Sequence, residues 1–171
     1  MQQLALLFWQ ICLLKKGPQD VPAAGLLLAI LLLLSLILDM FSFRLISPET
    51  DMFNNLLVSV IYSALVIAAT AILLLLFGYR QRTLQTLNAL FGAGLVVALC
   101  SFPVLLALYD RFDEPGALGI VLLLLQLWHL LVMAHILRHA LSVSFILGGM
   151  LSFGYMVMGY QVMALFIQQA G

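Results

Sequence analysis

The chain has 171 residues, of which 65% are hydrophobic and 8% charged, whereas soluble domains average roughly 45–50% and about 25%. A soluble domain of this size would need many more polar residues to cover its surface, so the composition excludes a soluble core and predicts a membrane protein. The seven basic and seven acidic residues sum to a net charge of zero. They form no Lys/Arg cluster of the kind that nucleic acids require, so no nucleic-acid partner is predicted.

The first predicted element is a short apolar helix at residues 4–14, which is followed by Lys15 and Lys16. Such a segment would be about 16 Å long, too short to cross a hydrocarbon core of roughly 30 Å. Trp9 and the lysine pair suit the headgroup region. Residues 1–20 are therefore predicted to form an N-terminal interfacial segment with a short helix.

Five longer apolar segments follow, each close to or above the roughly 20 residues that a membrane-spanning helix needs. The connections between them are too short to fold as separate domains. We therefore predict an all-α, polytopic transmembrane helix bundle over residues 21–171, with spans at about 21–45, 56–78, 84–109, 117–137 and 141–167.

Basic residues are divided unequally between the two ends of this bundle. Lys and Arg near span ends are retained on the cytoplasmic side, so the split predicts a cytoplasmic N-terminus and, with five spans, an outer C-terminus. The chain has no Asn-x-Ser/Thr acceptor, which is compatible with a bacterial inner membrane. Five basic residues define what we call the basic end, namely Lys15, Lys16, Arg80, Arg82 and Arg138, whereas Arg44, Arg111 and the acidic residues Asp39, Glu49, Asp51, Asp110, Asp113 and Glu114 lie toward the other.

The fourth predicted span holds all three histidines of the chain. Helical spacing places Gln126 and His129 on one face, and Trp128, His135 and His139 on another. The first pair falls near the middle of the span, where a polar group should face protein, and we predict that it bonds to neighbouring helices inside the bundle. The second stripe runs to the basic end and is predicted to be available to a partner helix.

An alternative interpretation makes the three histidines a metal or proton-transfer site. Ligands in helix bundles usually come from facing helices, and no other span offers a histidine, so we predict neither a metal nor a cofactor. The chain also lacks a nucleophile–base pair, a Gly-rich phosphate loop and an HExxH motif. It is therefore predicted not to be an enzyme.

Asp39 lies one or two turns from the outer end of the first span and has Arg44 as a candidate partner. A small transporter or channel subunit, the alternative function, would use Asp39 together with Gln126 and His129.

In the fifth span, Ser144, Gly148 and Ser152 recur at four-residue spacing. Small residues on one ridge let helix backbones approach closely in lipid, so these three are predicted to pack against a neighbouring helix.

Two stretches carry a resemblance to a known family, GYRQRTLQTLNALFGAGLVVALCSFPVLL at residues 78–106 and QLWHLLVMAHILRHALSVS at residues 126–144. They resemble the Yip1-type membrane proteins, which have five spans and an N-terminal segment before the bundle. Eukaryotic members have long cytoplasmic N-termini that engage small GTPases and trafficking partners, whereas about 20 residues precede the first predicted span here. With the lack of soluble domains and catalytic motifs, the resemblance favours a non-enzymatic interaction or membrane-organising component. Its expected partners are the lipid bilayer and another membrane protein or a second copy of the chain.

Overall fold

The structure is a computed structural model that describes residues 2–46, 51–109 and 116–170, the side chains of 166–170 excepted. Every regular element within these ranges is helical. Two single turns of 3-10 helix, Pro18–Asp20 and Arg80–Arg82, lie between the longer helices. The six α-helices are α1 (Gln2–Cys12), α2 (Gly25–Ile46), α3 (Met52–Leu76), α4 (Thr83–Leu108), α5 (Gly116–Leu141) and α6 (Phe145–Ala170).

Helices α2 to α6 are long and apolar enough to cross a membrane. The predicted all-α bundle with five spans is thereby confirmed, and the chain is an integral membrane protein. The side of the membrane on which each terminus lies stays a prediction. Part of the predicted charge segregation concerns Glu49, Asp110, Arg111, Asp113 and Glu114, which lie outside the described residues.

Helix α5 is longer than the sequence predicted. Residues 138–140, expected to connect two spans, form its last turn, and the chain reverses at Ser142. Nothing in Arg-His-Ala interrupts a helix, whereas Ser142 adopts a φ of 55° that no helix can continue.

Helix α4 contacts α1, α2, α3 and α5, and more of its residues are buried than those of any other helix in the described part of the chain. Its buried residues include Ala89, Gly92 and Ala93. These small side chains let neighbouring backbones come close, which is the usual packing device between helices in lipid. The core therefore lies around the first half of α4.

Helices α5 and α6 pack closely along their facing sides. A Cβ atom on Gly148 would lie 2.6 Å from the carbonyl oxygen of Ala134, so a larger residue would force the two helices apart. Ser152 is fully buried and donates its hydroxyl to the carbonyl of Leu130 at 2.9 Å. Both residues therefore lie at the contact with α5.

Ser144 shares the four-residue spacing but is exposed at the start of α6. Its Oγ accepts a hydrogen bond from the backbone N–H of Leu147 at 3.3 Å, as an N-cap residue does. Its predicted packing role is wrong, because the helix begins only at the next residue and Ser144 is needed to cap it.

Three helices end with a residue of positive φ. Gly78 follows α3 with a φ of 79°, Leu14 follows α1 with 60°, and Ser142 follows α5 with 55°. In each case the N–H of the next residue bonds to a carbonyl five residues earlier, as in a Schellman motif. Glycine adopts this conformation without a Cβ penalty, whereas leucine and serine do not.

We expect Leu14→Gly to raise the free energy of unfolding by about 0.5–1 kcal/mol, the cost of a left-handed leucine less the extra entropy that glycine loses. Thermal unfolding of the detergent-solubilised protein would measure the change. Leu13→Gly is the matched control, because Leu13 is similarly exposed (42% against 40%) but has no positive φ. Leu13→Gly should destabilise, and a shift of both variants in the same direction would contradict the assignment.

Candidate functional site

The N-terminal helix is packed into the bundle. Phe8 and Cys12 are buried, and Phe8 lies so close to Gly92 that any Cβ at that position would overlap its ring. Trp9 meets Trp128 edge to face, with ring centroids 6.1 Å apart. Helix α1 is therefore held by both α4 and α5.

The C-terminal end of α1 lies deep in the bundle when measured from the basic end. Cys12 donates from Sγ to the carbonyl of Ala93 at 3.6 Å, and its own carbonyl accepts from Nε1 of Trp128 at 2.9 Å. Ala93 is ten residues after Thr83, the first residue of α4, and Trp128 is thirteen before Leu141, the last of α5. At 1.5 Å per residue these positions are about 15 and 20 Å from the helix ends. The sequence had predicted an interfacial position for the whole segment, whereas its end reaches the bundle interior.

From this depth the chain returns to the basic end along α5. The Nε2 atom of His135 lies 3.0 Å from the carbonyl oxygen of Lys16. A carbonyl can only accept, so the imidazole donates from Nε2. His135 therefore bonds to a carbonyl of the returning segment, and Trp128 bonds to that of Cys12, the last residue of α1.

Asn88 on α4 fixes the next part of the same segment. Its Nδ2 donates to the carbonyls of Pro22 at 2.9 Å and Ala24 at 3.1 Å, just before α2 begins. Backbone that is not helical is tolerated inside a membrane protein only where the protein itself supplies hydrogen-bond donors. We call the three donors Asn88, Trp128 and His135 the N-terminal dock.

The stripe of Trp128, His135 and His139 is thus occupied by the chain's own N-terminal segment, and it is not open to a partner helix as the sequence predicted. The ring of His139 meets that of His135 edge to face, with ring centroids 4.5 Å apart. His139 and Pro18 line the same cavity at the basic end. Among the described residues, no group of three or more His, Cys, Asp or Glu side chains is placed to hold a metal ion.

The second predicted stripe also differs from expectation. His129 is half-buried beside Gly94, whereas Gln126 is exposed on the outside of the bundle and bonds to no other described residue. The predicted interior position of Gln126 is wrong. Its place on the helix puts it at the edge of the exposed leucine face that includes Leu123 and Leu127.

A polar cluster that the sequence analysis missed joins α2, α3 and α6. The hydroxyls of Thr70 and Tyr155 share a hydrogen bond of 2.9 Å, and both residues are buried. Tyr62 is close enough to Asp39 and to Tyr155 for electrostatic interaction with both. Half-buried Asp39 therefore has a phenol neighbour inside the bundle.

Helix α3 carries the signal that could have revealed this cluster. Asn55, Ser59, Ser63 and Thr70 are separated by four, four and seven residues, which places them on one face, and all four are buried. Nδ2 of Asn55 has no hydrogen-bond partner among the described residues. The interior of the bundle is therefore polar along α3 as well as along α5.

No protein-family model matches the chain, and no curated protein or solved structure is significantly similar to it. The Yip1-type resemblance stays a prediction. Beyond the integral membrane bundle, the function has to be argued from the residues described above.

The reactivity of the Cys12 thiol reports whether α1 is packed against α4 and α5. Burial, with a smaller contribution from Cys100, raises the pKa of the Cys12 thiol from 9.0 to about 12. The thiolate is the reactive form, so this shift lowers the reactive fraction of the Cys12 thiol at pH 8.

In a Cys100→Ser background, we expect maleimide labelling of Cys12 to be at least about tenfold slower in the folded protein than in dodecyl sulfate. Because the folded-state pKa is raised, the rate should keep rising with pH above 9 without levelling off. Gly92→Ala should accelerate labelling by displacing Phe8. Gly94→Ala is the control, since a Cβ there would meet its nearest neighbour at an ordinary 3.8 Å. Equal rates in the two variants would contradict the placement of α1.

Proposed function

We propose that the protein is a non-enzymatic, multi-pass membrane component of the Yip1-like type that acts by binding another membrane protein or a second copy of itself. The observation that carries the proposal is the exposed amide of Gln126. This residue is ten positions from the start of α5 and fifteen from its end, which puts it near the middle of a span. A polar side chain at that depth is expected to face protein and not lipid.

The surroundings of Gln126 support a helix as the partner. Leu123, one turn before Gln126, and Leu127, the residue after it, are 59% and 50% exposed. A second helix packed on this face would cover both leucines and offer the amide an interhelical hydrogen bond, which contributes about 0.6–2 kcal/mol in membranes. An amide both donates and accepts, so two copies of Gln126 can also bond to each other.

The proposed location is a bacterial inner membrane with the basic end in the cytoplasm. Lys15, Lys16, Arg80, Arg82 and Arg138 support this orientation, because basic residues near span ends are retained on the cytoplasmic side.

Photocrosslinking in native membranes tests the proposal. A photoreactive residue at position 126 should give a protein adduct, and one at Val121 should give severalfold less, because Val121 is 41% exposed and lies about 120° or more around the helix from Gln126 and from both leucines. Gln126→Leu should weaken the association about threefold to tenfold, in line with the loss of one interhelical hydrogen bond, and Gln126→Asn should weaken it less. Adducts to lipid alone at both positions would refute the proposal.

A small transporter or channel subunit is the second candidate, and the polar interior favours it. Asp39, Tyr62, Tyr155 and Thr70 link three helices, and Asn55 has an unused donor on the same face of α3. Such a chain of polar groups inside a bundle is typical of ion and proton pathways.

If this second function is correct, Asp39→Asn should reduce flux into proteoliposomes by about tenfold or more, because it removes the one carboxylate of the cluster. Asp51→Asn is the control, since Asp51 is exposed just before α3. Flux that survives Asp39→Asn unchanged would remove the cluster from consideration.

A further inference from the structure

A cavity of about 250 Å³ opens at the basic end, where the N-terminal segment meets α4 and α5. Its wall is rich in hydrogen-bond donors, and none of the described residues that line it is acidic. The donors are one guanidinium, one imidazole, two amides and one hydroxyl, contributed by Arg82, His139, Gln19, Gln85 and Ser142. The hydroxyl of Thr86, which also lines the cavity, donates to the carbonyl of Arg82 at 2.9 Å.

Arg82 lines the cavity, and its Cζ lies over the ring of Tyr79, 4.4 Å from the ring centroid. Its Nη1 donates to the carbonyls of His139 (3.4 Å) and Ala140 (3.2 Å) and to the hydroxyl of Ser142 (3.1 Å). These acceptors are neutral, and no carboxylate among the described residues pairs with Arg82. The guanidinium's remaining N–H groups make no hydrogen bond to a described residue, so donors are left for a ligand.

The acid nearest in sequence to the N-terminal wall of the cavity, Asp20, is already engaged. It accepts from the backbone N–H of Gly17 at 3.0 Å and lies 3.9 Å from Nζ of Lys16. The start of α4, which carries a partial positive charge, adds to the field of Arg82. The cavity beside Arg82 therefore favours an anionic ligand.

We propose that this cavity binds the anionic phosphate headgroup of a membrane phospholipid. Its volume corresponds to about eight water molecules of roughly 30 Å³ each, below the roughly 300–1,000 Å³ of a pocket for a whole small-molecule ligand. It therefore suits a headgroup whose acyl chains stay outside. Leu84 and Phe145, close in sequence to the cavity residues Gln85 and Ser142, are 40% and 39% exposed and offer apolar surface for those chains. Basic pockets between spans at the membrane surface are typical binding sites for acidic headgroups.

The purified full-length protein in neutral detergent can be titrated with phosphatidylglycerol and with phosphatidylcholine, with bound lipid counted by native mass spectrometry. We expect the wild type to prefer phosphatidylglycerol about fivefold, the effect of one basic residue near the lipid charge. Arg82→Gln should abolish this preference.

Two further variants keep the test decisive, because Arg82→Gln also removes three hydrogen bonds at the end of α5. Gln85→Glu leaves those bonds in place and puts a carboxylate in the cavity wall, so it should abolish the preference as well. Arg80→Gln removes the same charge from the exposed surface two residues away and should change the preference less than about twofold.

Three results would overturn the proposal. They are no preference in the wild type, an equal loss in Arg80→Gln and Gln85→Glu, and retention of the preference in Gln85→Glu. Inorganic phosphate added at the lipid concentration should not compete, and competition would overturn the lipid assignment in favour of a soluble phosphate.

Discussion

The carbonyls between α1 and α2 that face α4 and α5 need hydrogen-bond donors from those helices, because this segment has no α-helix of its own. Gly17, Pro18 and Val21 of the segment are buried, whereas most of its other residues are exposed. Leaving one such group unpaired inside a membrane protein costs several kcal/mol. Trp128, His135 and Asn88 each donate to a carbonyl of the segment or of Cys12 before it. Trp128 bonds to the end of α1, and Asn88 and His135 bond to the segment after it. Phe8 and Cys12 of α1 are part of the hydrophobic core.

The same requirement separates the polar residues that serve the fold from those that do not. Trp128, His135, Ser152 and Asn88 all have a carbonyl partner within the chain. Gln126 has none among the described residues and lies on the outer surface. Because those polar residues have partners within the chain, the exposed amide of Gln126 is a polar group available to another protein. This contrast, and not the presence of polar residues as such, separates a packing role from a binding role in a span.

Sequence reasoning predicted the spans because bilayer thickness imposes a length on apolar segments, whatever their neighbours. It also placed Trp128, His135 and His139 on one helix face, because the α-helical period is fixed. It could not predict what covers that face, since the carbonyl partner of Trp128 belongs to Cys12, 116 residues away in the chain. The buried face of α3 was within reach of the same periodicity, because Asn55, Ser59 and Ser63 recur every fourth residue. It was missed because serine is common in lipid-facing helices and its burial depends on tertiary packing.

Occupation of the dock by the chain's own N-terminal segment also shapes the basic end. The segment that Trp128 and His135 hold continues directly into Pro18 and Gln19, which form one wall of the cavity beside Arg82. The cavity therefore has this wall only while the segment after α1 is packed against α4 and α5. A headgroup bound between Gln19 and Arg82 would in turn hold the segment against α4 and α5, since a ligand stabilises the conformation that binds it. Lipid binding at the membrane surface and the seating of α1 in the bundle interior are in this way coupled through one short stretch of backbone.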